Sequence, residues 1–234
     1  MFYDPAKNDH GLPYNPYKAC VVPRPIGWIS TFGVDKRVNL APFSQFNNLG
    51  YDPPYVMFSA GGHELEHRRK DTVENVDATG EFVFNMATYA LRDAVNLSGQ
   101  TIDPDVDELA ESGLTPVPSR FVAPPRVAES PVHFECRLHE ILVLPGKTNS
   151  TTNHVVIGRV VGVHIDDAFI TAEGKVDIKA IQPIARLGYM EYAVVDTIFE
   201  MGAIDGARAA DFEKAMAGEP SDPRPGEPLD TTET

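Results

Sequence analysis

Short apolar segments separated by polar turns recur along most of the chain, and helical spacing is confined to a few stretches. Residues 20–32 and 38–46 read as strands, joined by the turn Gly33-Val-Asp-Lys-Arg37 with its turn-forming Gly and Asp. Residues 47–54 hold Asn-Asn, Gly and Pro-Pro and read as loop. Residues 55–59 are a third strand, stopped by Gly61-Gly62. Asp71-Thr-Val-Glu74 has the spacing of a capping box with Asp71 as cap; it predicts a helix to about Ala78, closed by Gly80. Residues 81–87 predict a buried strand. Residues 89–97 and 104–111 predict helices, the second opened by Asp103. Residues 113–131 hold five prolines and predict an irregular excursion. Residues 133–144 alternate, with Phe134, Cys136 and Leu138 apolar around Glu135 and Arg137, and pair as a hairpin with 153–165. Residues 187–195 predict the last strand. From Gly202 the composition shifts to a short helix over 207–217 and an acidic, Pro-rich stretch over 218–234 expected to be disordered.

Strands dominate, follow one another directly and show no internal repeat. The expected fold is mainly β, an antiparallel barrel with short helices packed outside rather than βαβ layers. Residues 1–19 form a surface-wrapping arm, 20–200 the barrel, and 201–234 a tail.

Composition narrows the function. The chain has 234 residues, of which 42% are apolar, enough for one sizeable core. A formal charge of −14 argues against nucleic acid and anionic membranes as partners, since both repel it. Cys20 and Cys136 are far apart and in no CxxC pattern; both read as small core residues in a reducing compartment. The N-terminus lacks the regions of a signal peptide, and the apolar run at 155–165 is interrupted by Arg159 and too short to span a bilayer. A cytoplasmic protein is expected.

The densest polar chemistry lies in Arg24-Pro-Ile-Gly-Trp-Ile-Ser-Thr31 and Val38-Asn-Leu-Ala-Pro-Phe-Ser44. Hydroxyls at Ser30, Thr31 and Ser44, the Asn39 amide and the Trp28 indole make a pocket wall for a flat, polar-edged ligand; Trp28 either lines it or belongs to the core. The cluster His67-Arg-Arg-Lys70 precedes the predicted helix, where free N–H groups and the helix dipole favour an anion, with the Thr72 hydroxyl beside it. The alternative is a solvated charge run balancing Glu64 and Glu66. His63-Glu-Leu-Glu-His67 matches H-E-x-x-H, but Gly61-Gly62 before it and three cations after it argue against a zinc helix, and no metal is expected. No G-x-G-x-x-G, P-loop or G-x-S-x-G is present. His154, at the mouth of a barrel strand, reads as substrate-contacting or as a turn histidine. Arg186 reads as ligand-binding or as an ion-pair residue.

Taken in order, Arg24 to Thr31, Asn39-Leu-Ala-Pro-Phe-Ser44 with Phe46-Asn47, Pro54 to Ser59, Lys70-Asp-Thr-x-x-Asn75, Gly80-Glu-Phe-Val-Phe-Asn85 and His154 to Val160 resemble the flavin reductase-like, FMN-binding split-barrel family. The resemblance implies a Greek-key split barrel that forms a homodimer with FMN near the subunit interface. It implies a first hairpin, including Trp28 and Ile29, along the flavin, with backbone near Asn39 and Ala41 at the ring edge. Ser30, Thr31, Ser44 and Ser59 would serve the ribityl and phosphate end; Lys70, Asp71 and Thr72 would form the phosphate turn. Asn47 and Arg186 join the cofactor-binding set, and His154 takes the nicotinamide-side, catalytic position. The implied activity is hydride transfer from NADH or NADPH to flavin, with a monooxygenase as a partner that uses the reduced flavin. A flavin-binding electron carrier without pyridine-nucleotide turnover is the alternative, and a metalloprotein or hydrolase built on residues 63–67 is the third reading.

Overall fold

The first strands are short. In the computed structural model, which describes residues 1–62, 68–100 and 108–201, β1 (Arg24–Pro25) leads into β2 (Gly27–Phe32) and β3 (Val38–Phe43), which pair antiparallel across the Gly33 turn. The stretch at 63–67, the helix start at Asp103 and the tail from Gly202 lie outside the described residues. Residues 1–197 form one unit and 198–234 a second.

β4 (Phe46–Tyr51) pairs with β5 (Pro54–Gly61), which corrects the loop expected over 47–54. β4 ends the sheet and bonds on one side only, through its backbone, so Asn47-Asn-Leu-Gly50 needs no apolar alternation. α1 (Asp71–Thr79) buries Val73 and Val76 at helical spacing and closes at Gly80, whose φ of 73° is left-handed. Its start differs from the capping box: Lys70 holds the cap position and no side chain caps the helix. The Asp71 carboxylate is taken instead by Arg68, which also lies 3.8 Å from Glu74.

β6 (Glu81–Met86) follows, then α2 (Arg92–Leu97) and α3 (Glu108–Glu111). The excursion contains a two-strand ribbon, β7 (Pro116–Val117) with β8 (Arg126–Val127), and is strapped to the barrel. Buried Glu135 accepts the N–H groups of Arg120, Phe121 and Val122 at 2.8, 2.5 and 3.2 Å, and Asn85 accepts that of Val127 at 2.9 Å. β9 (Val132–Leu144) and β10 (Asn153–Ile165) form the long hairpin, bent by irregularities at Ile157/Gly158 and Val160/Gly162. Gly158 is required there, because a Cβ would run into the ring of fully buried Phe82. After α4 (Ile178–Ile181), the single strand expected over 187–195 is two short ones, β11 (Ile184–Arg186) and β12 (Tyr192–Val194). The turn between them carries Tyr189 at φ 48°.

The main sheet is antiparallel, seven-stranded and ordered β3-β2-β6-β9-β10-β5-β4; β1, β11 and β12 make a small second sheet. The fold is the expected mainly β split barrel. Where the chain passes from β3 into β4, Ser59 N–H of β5 donates to Gln45 O at 2.8 Å, and Phe43 and Phe58 pack 4.9 Å apart. Inside lie Ile29, Phe43, Phe58, Phe82, Phe84 and Val156, capped by Val73 and Val76 of α1. Each of these valines, fully buried, contributes on the order of 1.5–3 kcal/mol. A second core with Trp28, Leu40, Val95, Leu109 and Val127 lies on the other face of β2 and β3, under α2, α3 and the excursion.

Candidate functional site

Two places on the molecule gather cationic side chains and hydrogen-bond donors. The first is the start of α1. Among the described residues β2 is the one strand that pairs with β3, and Pro42, which lacks an N–H, is tolerated on the other side. At the Asn39 end of β3, Asn39 Nδ2 donates to Thr72 Oγ1 at 2.9 Å and Asn75 Nδ2 donates to Thr31 Oγ1 at 3.0 Å. These bonds fix the hairpin against the helix start. The N–H groups of Asp71 and Thr72 have no acceptor among the described residues. Of the basic cluster, Arg68 is held by Asp71 and Arg69 by Asp77 at 2.7 Å, while Lys70 has no carboxylate within ion-pair distance among the described residues. The result is one cation and two open donors at a helix N-terminus, a geometry that favours a phosphate.

The second place is a cleft of about 680 Å³, lined by Ser44, Gln45, Ser59 and Asn153 from the barrel, by Tyr17, Lys18, Val21 and Arg24 from the arm and β1, and by Arg186 and Tyr189. Arg24 donates to the carbonyls of Lys18, Val21 and Leu187 at 3.2, 2.7 and 2.9 Å, which ties the arm to the β11–β12 turn. Gly188 lets Ala19 approach that turn closely. Arg186 donates to Tyr192 Oη at 2.6 Å and to the Tyr189 carbonyl, with its guanidinium 4.6 Å from the Tyr192 ring centre. β3 connects the two places: from Asn39 to Ser44 an extended strand covers about 17 Å.

Of the residues expected in a pocket, Ser44, Ser59 and Arg186 line this cleft, and Asn39, Lys70, Asp71 and Thr72 stand together at α1. Ala41 lies between them on β3. Trp28, Ile29, Ser30 and Thr31 are fully buried, and their polar groups are used internally. Trp28 Nε1–H donates to Ser98 at 2.9 Å and Ser30 Oγ donates to Pro125 O at 2.6 Å. The side chains of Trp28, Ile29 and Ser30 therefore belong to the core rather than to a pocket wall. Asn47 lines a separate, apolar hollow of about 380 Å³ beside Phe46, Phe84 and Tyr51.

His154 also stands apart. It follows Asn153 by one residue, so alternation sends its ring to the face opposite the cleft, toward Arg69 and Asp77 of the α1 region. Burial first, and then the Arg69 charge, lower its pKa, and its Nδ1 is buried without a partner. Lys18, Arg24 and Asn153 are polar cleft residues among those that the sequence did not single out. Cys20 is exposed, against the core position expected for it, while Cys136 is buried and burial pushes its thiol pKa up. Among the described residues no cluster of His, Cys, Asp and Glu could hold a metal, and no helix is long and apolar enough to cross a membrane.

The sequence model of the flavin reductase like domain matches residues 19–177. An uncharacterized protein of Aquifex aeolicus (strain VF5) is 37% identical over 172 residues, which are 74% of this chain and 84% of that protein. The crystal structure of nitrilotriacetate monooxygenase component B from Bacillus cereus superposes with a TM-score of 0.78 at 27% identity, covering 86% of this chain and 98% of that one. Pseudomonas fluorescens 2-nitrobenzoate 2-nitroreductase superposes with a TM-score of 0.74 at 24% identity, covering 87% and 96%, a likeness of fold. With the family match spanning most of the split barrel, the chain belongs to the flavin reductase like family.

Proposed function

We propose that this chain is an FMN-dependent oxidoreductase of the flavin reductase type, taking hydride from NADH or NADPH. The observation that carries the reading is the start of α1, where Lys70 and the N–H groups of Asp71 and Thr72, without acceptors among the described residues, stand beside Asn39 of β3. These residues fit a phosphorylated flavin: Lys70 and the helix N–H groups would hold its phosphate, β3 around Asn39 and Ala41 would meet the ring's polar edge, and Ser44 and Ser59 would meet hydroxyls. Bound FMN would supply a two-electron hydride acceptor, leaving the protein the tasks of position and charge. No protein acid or base is required for that transfer, so the placement of His154 away from the cleft is no obstacle.

The monooxygenase component among the structural relatives supports a role in delivering reduced flavin to a partner oxygenase. A homodimer belongs to the same reading, because the end of β9 leaves Leu142, Val143 and Leu144 exposed as an apolar run that a second copy would cover. Light scattering on the purified chain reads that mass directly.

FMN titration followed by flavin fluorescence tests the cofactor assignment. Saturable binding is expected, with Lys70→Glu weakening it by about tenfold or more. Unchanged affinity in Lys70→Glu would remove the phosphate assignment.

A further inference from the structure

The cleft beside the split gathers charge that FMN bound at α1 does not use. Lys18, Arg24 and Arg186 line it, and none has a carboxylate within ion-pair distance among the described residues. In a chain of net charge −14, three uncompensated cations in one cleft are not an effect of composition. Arg24 and Arg186 are also direct cross-strand partners in β1 and β11, an arrangement of like charges that costs stability unless an anion sits between or beside them. Arg24 Nε is buried with no hydrogen-bond partner. Lys18 and Arg186 both fall outside the matched domain at 19–177, so two of the three cations come from the arm and the segment after α4.

The lining is as informative for what it lacks. It contains hydroxyls, amides and two tyrosines but no Asp or Glu. Sites that read an unphosphorylated adenosine ribose place a carboxylate on its 2′-hydroxyl, whereas sites that read the 2′-phosphate place arginine there. A phosphomonoester is close to a dianion at neutral pH and takes charge-assisted bonds from Arg and Lys. Tyr17 and Tyr189 also line the cleft and keep part of their aromatic surface exposed, which suits a base.

We propose that Lys18, Arg24 and Arg186 form a second anion subsite, distinct from the α1 phosphate site, that takes the 2′-phosphate of NADPH and selects it over NADH. The proposal rests on the flavin reductase reading for the donor's identity, but its binding test does not need FMN.

Calorimetric titration of the whole protein with 2′,5′-ADP and with 5′-AMP reads the subsite directly. 2′,5′-ADP is expected to bind at least about tenfold more tightly than 5′-AMP, and Lys18→Ala and Arg186→Lys are each expected to remove about tenfold of its affinity. Among the described residues Lys18 makes no side-chain hydrogen bond or ion pair, so its variant separates charge from folding; Arg186→Lys keeps the charge and loses the planar fork. FMN affinity should be unchanged in Lys18→Ala. Equal binding of the two nucleotides, or no binding of either, overturns the proposal. So does a parallel loss of FMN affinity, which would assign the cleft to the flavin's own phosphate. Failure of the wild type to bind FMN would instead count against the functional reading, with the 2′,5′-ADP result still deciding the subsite.

Discussion

Arg24 and Arg186 face each other across adjacent antiparallel strands and open onto the same cleft. Their repulsion makes the folded state responsive to anions, because any anion that binds only the native cleft stabilises it by mass action. Pyrophosphate is therefore expected to raise the melting temperature by a few degrees over chloride at matched ionic strength. The effect should shrink in Lys18→Glu. Equal melting temperatures in the two salts would show that the paired arginines hold no anion.

The Asn39–Thr72 bond joins the edge strand to the helix start. Thr72 is almost completely buried, so Thr72→Val keeps the shape and leaves the Asn39 amide short of an acceptor. A loss of about 1–3 kcal/mol in urea unfolding is expected, together with weaker FMN binding. The valine variant unfolding like wild type would mean that the two elements are held by packing alone.

Glu135 accepts four hydrogen bonds, three from backbone N–H groups of the excursion and the fourth from His164 Nε2 at 2.5 Å. Burial alone would raise its pKa, but the Arg120 N–H, His164 and the Phe121 N–H hold it below the usual carboxylate range. Glu135→Ala should cost about 3 kcal/mol or more and free residues 120–122 to exchange their amide hydrogens. Retained protection there would show that the excursion is anchored elsewhere.

His133 gives the protein an acid limit. Burial lowers its pKa to about 4 despite the bond to Val127 O. Between the unfolded value near 6.5 and that folded value, the unfolded chain binds the extra proton, so stability falls as pH drops through the window. The loss approaches about 3 kcal/mol at its lower end. Glu135, whose folded pKa is depressed, acts in the same direction at still lower pH. Urea unfolding at pH 7 and pH 5 reads the slope, and His133→Gln should flatten it.

Much of the fold was legible because burial writes itself as alternation. The strand expected over 153–165 is β10 residue for residue, and the helix at 71–79 announces itself by Val73, Val76 and Gly80. Strand β4 was not legible, since an edge strand bonding through its backbone can be made of Asn, Leu and Gly. Polar density at 28–31 pointed to a pocket, but Ser30 and Trp28 use their polar atoms on Pro125 and Ser98, partners 95 and 70 residues away that no local pattern reveals. The cleft shows the same limit. Arg24 stands in the best-matching motif, yet its meaning depends on Lys18 and on Arg186, which only the fold brings beside it. His154 could have been placed from the strand itself, since Asn153 and His154 must face opposite ways.

Hydride transfer to a bound flavin has a direct optical signature. Protein reconstituted with FMN and mixed anaerobically with NADPH should lose its flavin absorbance, faster than with NADH at equal concentration. Protein that binds FMN but keeps its colour with either nucleotide would contradict the claim and leave a flavin-binding electron carrier.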